Sequence, residues 1–143
     1  MSRQRSKARR MAVQALYQWQ LTGQEPTDII AQFAEERPHQ SADFTYFSDL
    51  LRGVTAQLSR LDDSLRPQLD RSILSVDPVE RAILRLAAYE LLERLEVPYK
   101  VVINEAVELA KTYGAEKGHR YVNGVIDKTA KVLRTEEIKA ISK

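Results

Sequence analysis

Three features of the 143-residue chain predict an all-α fold. Apolar residues recur at steps of three and four through almost the whole length, the spacing that lines one face of a helix. No stretch sustains the period-2 alternation of a half-buried strand bounded by hairpin turns. Helix punctuation falls where the periodic runs begin and end. Asp77-Pro78-Val79-Glu80 offers an N-cap Asp, proline at the first helical position and Glu at the third, and Gly23 and Gly114 follow two runs as C-terminal stops. Short connections between about seven helices imply antiparallel packing into one compact bundle or two small ones sharing an interface, behind a basic N-terminal arm. Residues 1–143 are expected to form a single domain, burying roughly two-thirds of the surface of the unfolded chain.

The first helix is expected from about Ser6 to Thr22, with Val13, Leu16, Tyr17 and Leu21 on one stripe and Trp19 widening it. A shorter helix after Pro26 presents Ile29, Ile30 and Phe33 and is closed by Pro38, with a polar linker from His39 to Ala42. Asp43 is an N-cap for a long third helix through Phe44, Phe47, Leu50, Leu51, Val54, Leu58 and Leu61. A short helical piece follows over Asp62 to Leu69, interrupted by Pro67. The helix opened by Asp77 is apolar on nearly all sides, from Val79 to Leu92, which marks it as the buried centre. Pro98 separates it from a helix over Lys100 to Tyr113, and a last helix runs from about His119 to Leu133.

Charge is the second strong signal. Arg3, Arg5, Lys7, Arg9 and Arg10 precede any carboxylate, the first of which is Glu25, whereas residues 25–143 carry a net charge of −3 against +2 for the whole chain. A local cationic cluster on a balanced domain suits a phosphate backbone, because each cation placed against a phosphate releases a counterion. On a helix, Arg3, Lys7 and Arg10 fall on one side and Arg5 and Arg9 on another, so no single protein surface neutralises all five. The same ten residues hold only Met1 and Ala8 as apolar groups, which excludes an amphipathic membrane helix. No run of about 18 apolar residues and no secretory signal is present, and the chain is expected in the cytoplasm.

Catalytic chemistry finds little support. The five glycines never take the spacing of a phosphate cradle, and no nucleophile-elbow or paired-histidine metal motif occurs. With no cysteine and only His39 and His119 as imidazoles, neither a metal site nor another cofactor is expected. Glu105 and Glu108 are three residues apart, a spacing that reads as a solvated helix face paired with Lys111. The segment from Ala115 to Tyr121 offers Lys117, His119 and Arg120 before an aromatic. There a helix N-terminus could meet a phosphate and Tyr121 an unpaired base, or the turn could simply pack on the domain.

The run Val97-Pro98-Tyr99-Lys100-Val101-Val102-Ile103-Asn104-Glu105-Ala106-Val107-Glu108-Leu109-Ala110-Lys111, followed by Tyr121-Val122-Asn123-Gly124-Val125-Ile126-Asp127, closely resembles the signature of the NusB family of transcription antitermination factors. The agreement continues through Ala12 to Tyr17, Phe47 to Gly53, Glu80-Arg81-Ala82 and Tyr89-Glu90-Leu91, so it covers nearly the whole chain. The module also resembles the N-terminal domain of certain ribosomal RNA cytosine methyltransferases, although 143 residues leave no room for their catalytic domain.

The resemblance implies an all-α fold of two packed antiparallel helical bundles, and a non-enzymatic factor that binds single-stranded boxA-type RNA in nascent ribosomal RNA leaders. It also implies a partner, the small-subunit ribosomal protein NusE, within an RNA polymerase antitermination complex. It assigns RNA contacts to Arg3, Arg5, Lys7, Arg9 and Arg10, and to Lys117 and Tyr121. Tyr121 replaces the family's common Phe, and Lys117 stands where an acid is often found. Tyr17, Glu80, Arg81 and Arg85 match the partner-binding motif, while Asn104 and Asn123 are expected to be buried amides bonding backbone. A homodimer, an accessory subunit of an RNA-modifying enzyme and a pure protein-interaction module remain open alternatives.

Overall fold

The computed structural model describes residues 3–36 and 41–142, and every element among them is helical. Eight α-helices run in chain order: α1 (Arg3–Thr22), α2 (Pro26–Glu36), α3 (Phe44–Ala56), α4 (Leu58–Leu65), α5 (Pro78–Glu93), α6 (Tyr99–Tyr113), α7 (Gly118–Leu133) and α8 (Thr135–Ser142). Two single 3₁₀ turns, Arg66–Gln68 and Ile73–Ser75, link α4 to α5. Pro38, His39 and Gln40, assigned from sequence to the close of α2 and the following linker, lie outside the described residues.

α5 is the central element. Asp77 accepts hydrogen bonds from the backbone N–H groups of Val79 and Glu80 at 3.1 and 3.2 Å, and Pro78 occupies the first turn, so the helix starts where its sequence signals place it. Residues 82–91 are all buried, and α5 packs against α1, α3, α4, α6 and α7. On one side α1, α2 and α3 pack together, with Phe33 and Phe44 against Phe47 at ring-centroid distances of 5.4 and 5.1 Å. On the other, α6 and α7 pair with each other and with α5. Gly53 permits the close approach of α3 to α5, since a Cβ there would overlap the Tyr89 ring. Tyr89 then donates to Asp49 at 3.0 Å, and burial followed by the Asp49 charge pushes its hydroxyl up to about 12.

Three boundaries differ from the sequence reading. Helix α1 begins at Arg3 and so absorbs the described part of the arm, which docks on the start of α3 where the Asp43 N–H donates to Gln4 O at 3.0 Å. The long third helix is two, broken at Gln57, whose φ of −119° and ψ of 28° leave the helical region. An eighth helix follows α7. Arg134, between them, is buried and reaches back to α5, donating from Nε to Leu91 O at 2.7 Å and from Nη2 to Glu90 O and Arg94 O at 3.1 Å each. Its Nη1 donates to Val97 O at 2.9 Å, so a single side chain bonds four carbonyls of the end of α5 and the following turn, adding to the backbone bonds that Glu90 O and Arg94 O already accept.

Candidate nucleic-acid and partner interfaces

The five cations of α1 divide as the helical period requires. Arg3 and Arg10 are exposed and Lys7 is half-buried, its Nζ donating to Ser41 Oγ at 2.5 Å. Arg5 and Arg9 turn inward. Arg9 is 1% exposed and donates from Nε to Glu90 Oε1 at 2.9 Å, from Nη2 to Glu90 Oε2 at 2.8 Å and from Nη1 to Glu105 Oε1 at 2.6 Å. The Tyr46 hydroxyl completes the coordination of Glu90 Oε2. Burial opposes the Arg9 charge, but the hydrogen bond and attraction of Glu90 outweigh it and raise the Arg9 pKa, so the guanidinium stays charged. Arg5 lies over the Tyr46 ring, 4.1 Å from its centroid, and pairs with Glu96 at 3.3 Å.

These contacts correct two expectations. Arg9 is a core ion-pair residue with no surface to offer a phosphate, and Glu105 is its partner and not a solvated face. Ser6 Oγ also donates to Glu105, at 2.6 Å. Asn104 and Asn123, expected as buried amides, are exposed instead.

The outward edge of α1 continues along α6. Ser6 and Arg10 border Glu105, Glu108 and Thr112, and Gln14 donates to the Tyr113 hydroxyl at 3.0 Å. Beyond Tyr113 the chain turns at Gly114, where a Cβ would sit 2.7 Å from Ala110 O. Lys117 is exposed and has φ 67°, the left-handed region that costs a residue with a side chain roughly 1–2 kcal/mol. Such strain collects at functional sites. Tyr121, one turn into α7, is half-buried. Its hydroxyl donates to Asp70 Oδ1 at 3.1 Å, and the Arg71 guanidinium lies 5.0 Å from its ring centroid while bonding the same carboxylate at 2.7 and 2.9 Å. The Arg71 hydrogen bond holds the Asp70 carboxyl below its ordinary value. Asp70 and Arg71 carried no signal in the sequence, because they lie in an aperiodic connection between two helices.

The four residues expected to meet a protein partner separate by exposure. Tyr17, placed by its period on the apolar stripe, is 38% exposed and lines an open groove of about 300 Å³ with Val13, Gln14, Val79 and Tyr113. Leu21, one turn further along α1, is also exposed. Arg81 is half-buried and donates to Leu74 O at 3.2 Å. Arg85 is buried, forking to Asp62 with both bonds at 2.9 Å and donating to Gln20 Oε1 at 2.9 Å, so its role is to join α5 to α4 and α1. Glu80 is 9% exposed, and burial, then the Asp77 charge, raises its pKa against the opposing pull of Arg71.

Among the described residues, fold and charge distribution define an all-helical module with a cationic edge on α1 and an aromatic-lined groove. The model of the NusB family matches residues 6–131, and the chain belongs to that family. The transcription antitermination protein NusB of Xanthomonas axonopodis pv. citri (strain 306) is 56% identical over 133 residues, 93% of this chain and 84% of the relative. That of Xanthomonas oryzae pv. oryzae (strain PXO99A) is 55% identical, covering 93% of this chain and 85% of the relative. Among solved structures, T. maritima NusB superposes with a TM-score of 0.78 at 35% identity over 92% of this chain and 93% of that one. A crystal structure of the antitermination factors NusB and NusE in complex with dsRNA gives 0.82 at 31% identity, over 92% and 99% of the two chains. No described helix is long and apolar enough to cross a membrane.

Proposed function

We infer that the chain is a transcription antitermination factor that binds boxA-type RNA of nascent ribosomal RNA leaders together with NusE, as part of the RNA polymerase antitermination complex. It acts as a single cytoplasmic domain and carries out no catalysis. The observation that carries this reading is the division of α1: Arg5 and Arg9 face the protein's own carboxylates and rings, while Arg3, Lys7 and Arg10 lie on the opposite side. Those three cations, with Lys117 beyond the end of α6, supply affinity through phosphates. Tyr121 supplies a stacking face, and the groove around Tyr17 receives NusE. Specificity comes from bases and from the partner, because phosphate contacts alone carry no sequence information.

The test is a titration of boxA RNA, a scrambled strand and a boxA duplex, with and without NusE, at several salt concentrations. Four engaged phosphates give log K against log salt a slope of roughly −3 for single strands. The single-stranded boxA RNA binds most tightly, and NusE widens the margin. Equal affinity for boxA and scrambled RNA in the presence of NusE would sink the reading, and a preference for the duplex would replace its single-stranded element.

A further inference from the structure

Glu80 stands in the same turn of α5 as Val79, which lines the Tyr17 groove, but its side chain runs the other way. A Cβ placed on Gly118 would overlap Glu80 Oε2 and come within 3.0 Å of Cδ and 3.7 Å of Cγ. The carboxylate therefore fills the space a side chain at position 118 would need, and Gly118 is itself buried beneath it. This contact sits at the turn that matters most for the cationic edge. Gly118 directly follows Lys117, the one described non-glycine residue with positive φ, and precedes Tyr121 by one helical turn. Arg71, whose guanidinium covers the Tyr121 ring, also attracts the Glu80 carboxylate.

Close-packed interiors do not deform continuously, so a displaced Glu80 side chain must move its neighbour or leave a void. We propose that Glu80 is a positioning residue for the turn from Lys117 to Tyr121, and that this contact couples the groove for the protein partner to the RNA surface. The proposal rests on the function inferred above and adds the route of communication: a partner that reorients Glu80 resets the turn, and RNA held by the turn fixes Glu80. Linkage makes the effect equal in both directions. Glu80 thus acts on the RNA surface from beneath, through Gly118.

A double-mutant cycle on the full chain tests this, with anisotropy of labelled single-stranded boxA RNA as the readout. Gly118→Ala weakens RNA binding by about fivefold or more, and the loss shrinks below about twofold when Glu80→Ala has already opened the space. Glu80→Gln, which keeps the volume, retains more affinity than Glu80→Ala, and NusE enhances RNA binding less in Glu80→Ala than in the wild type. An equal penalty for Gly118→Ala in both backgrounds would overturn the proposal. Amide hydrogen exchange of residues 115–121 provides a measurement without RNA: exchange is faster in Glu80→Ala than in the wild type, and unchanged protection would also overturn it. A wild-type chain that shows no boxA preference yet shows the exchange effect would remove the functional reading and the coupling, leaving Glu80 only a support of the turn.

Discussion

Adjacent arginines on α1 make opposite demands on the same experiment. Replacing Arg9 with Met keeps length and apolar volume but strands Glu90, whose side chain is 2% exposed, with the Tyr46 hydroxyl and no countercharge. Leaving one member of a buried pair uncompensated costs about 3–5 kcal/mol. For a chain of this size each kcal/mol moves the melting temperature by about 3–4 °C, so Arg9→Met should melt roughly 10 to 20 °C below the wild type by circular dichroism. Arg10→Met, on the exposed side, should stay within about 0.5 kcal/mol of it. RNA binding reverses the order. Measured well below the melting transition, Arg10→Met weakens affinity and flattens the salt slope by about 0.7, while Arg9→Met leaves the slope unchanged. The double variant Arg9→Met with Glu90→Met recovers much of the lost stability, because removing both charges of a buried pair is often neutral. Equal melting temperatures for Arg9→Met and Arg10→Met would refute the assignment of Arg9 to the core. By the same arithmetic, deleting residues 1–10 destabilises the fold as well as removing the arm, so it does not isolate the arm's contribution.

Tyr121→Ala should cost on the order of 1–3 kcal/mol of RNA binding and Tyr121→Phe little, since stacking uses the ring and the hydroxyl bonds only an exposed Asp70; equal losses in a binding titration would shift the role to the hydroxyl. Glu80→Gln probes pH. Burial raises the folded-state pKa above the unfolded one, so the native state holds the proton more tightly and Glu80 lowers stability as pH rises through that window. Glu80→Gln should therefore melt above the wild type at pH 7, with the gain fading below about pH 4, and a pH-independent difference in thermal scans would contradict the sign. Tyr17→Ala should weaken NusE in calorimetry while leaving the fold intact. Arg85→Glu should instead lose about 3–5 kcal/mol of stability, because it places a buried carboxylate against the half-buried Asp62, and a folded Arg85→Glu protein that merely fails to bind NusE would restore Arg85 to the interface.

Helices with a dense apolar face were legible because burial follows period. Those of α1, α2, α5, α6 and α7 emerge within a few residues of their bounds, and the Asp77 cap is visible as a local hydrogen-bonding pattern. The break at Gln57 was hidden because Leu50, Leu51, Val54, Leu58 and Leu61 continue the apolar steps across it without glycine or proline. Helix α8 was missed for the opposite reason, since Thr135–Ser142 has few apolar residues and its start depends on Arg134 reaching α5. Charge placement was legible only as far as geometry is local. The helical period separated Arg3, Lys7 and Arg10 from Arg5 and Arg9, but which set would meet protein depends on carboxylates far along the chain. Arg85, Glu80 and Arg71 follow the same rule, each drawing its role from another element that no local pattern announces.

The Arg9 pair also sets an order of events during synthesis. Its carboxylate partners arrive late, Glu90 following it by 81 residues and Glu105 by 96. At a translation rate of roughly 5–20 residues per second, about 4 to 16 s pass between the making of Arg9 and of Glu90. Throughout that interval the emerging α1 carries all five of its positive charges without these counterions, next to a ribosome built largely of RNA. The buried pair is then a sorting event: as the core closes, Arg9 leaves the surface for its two late carboxylates, while Arg3 and Arg10 stay exposed.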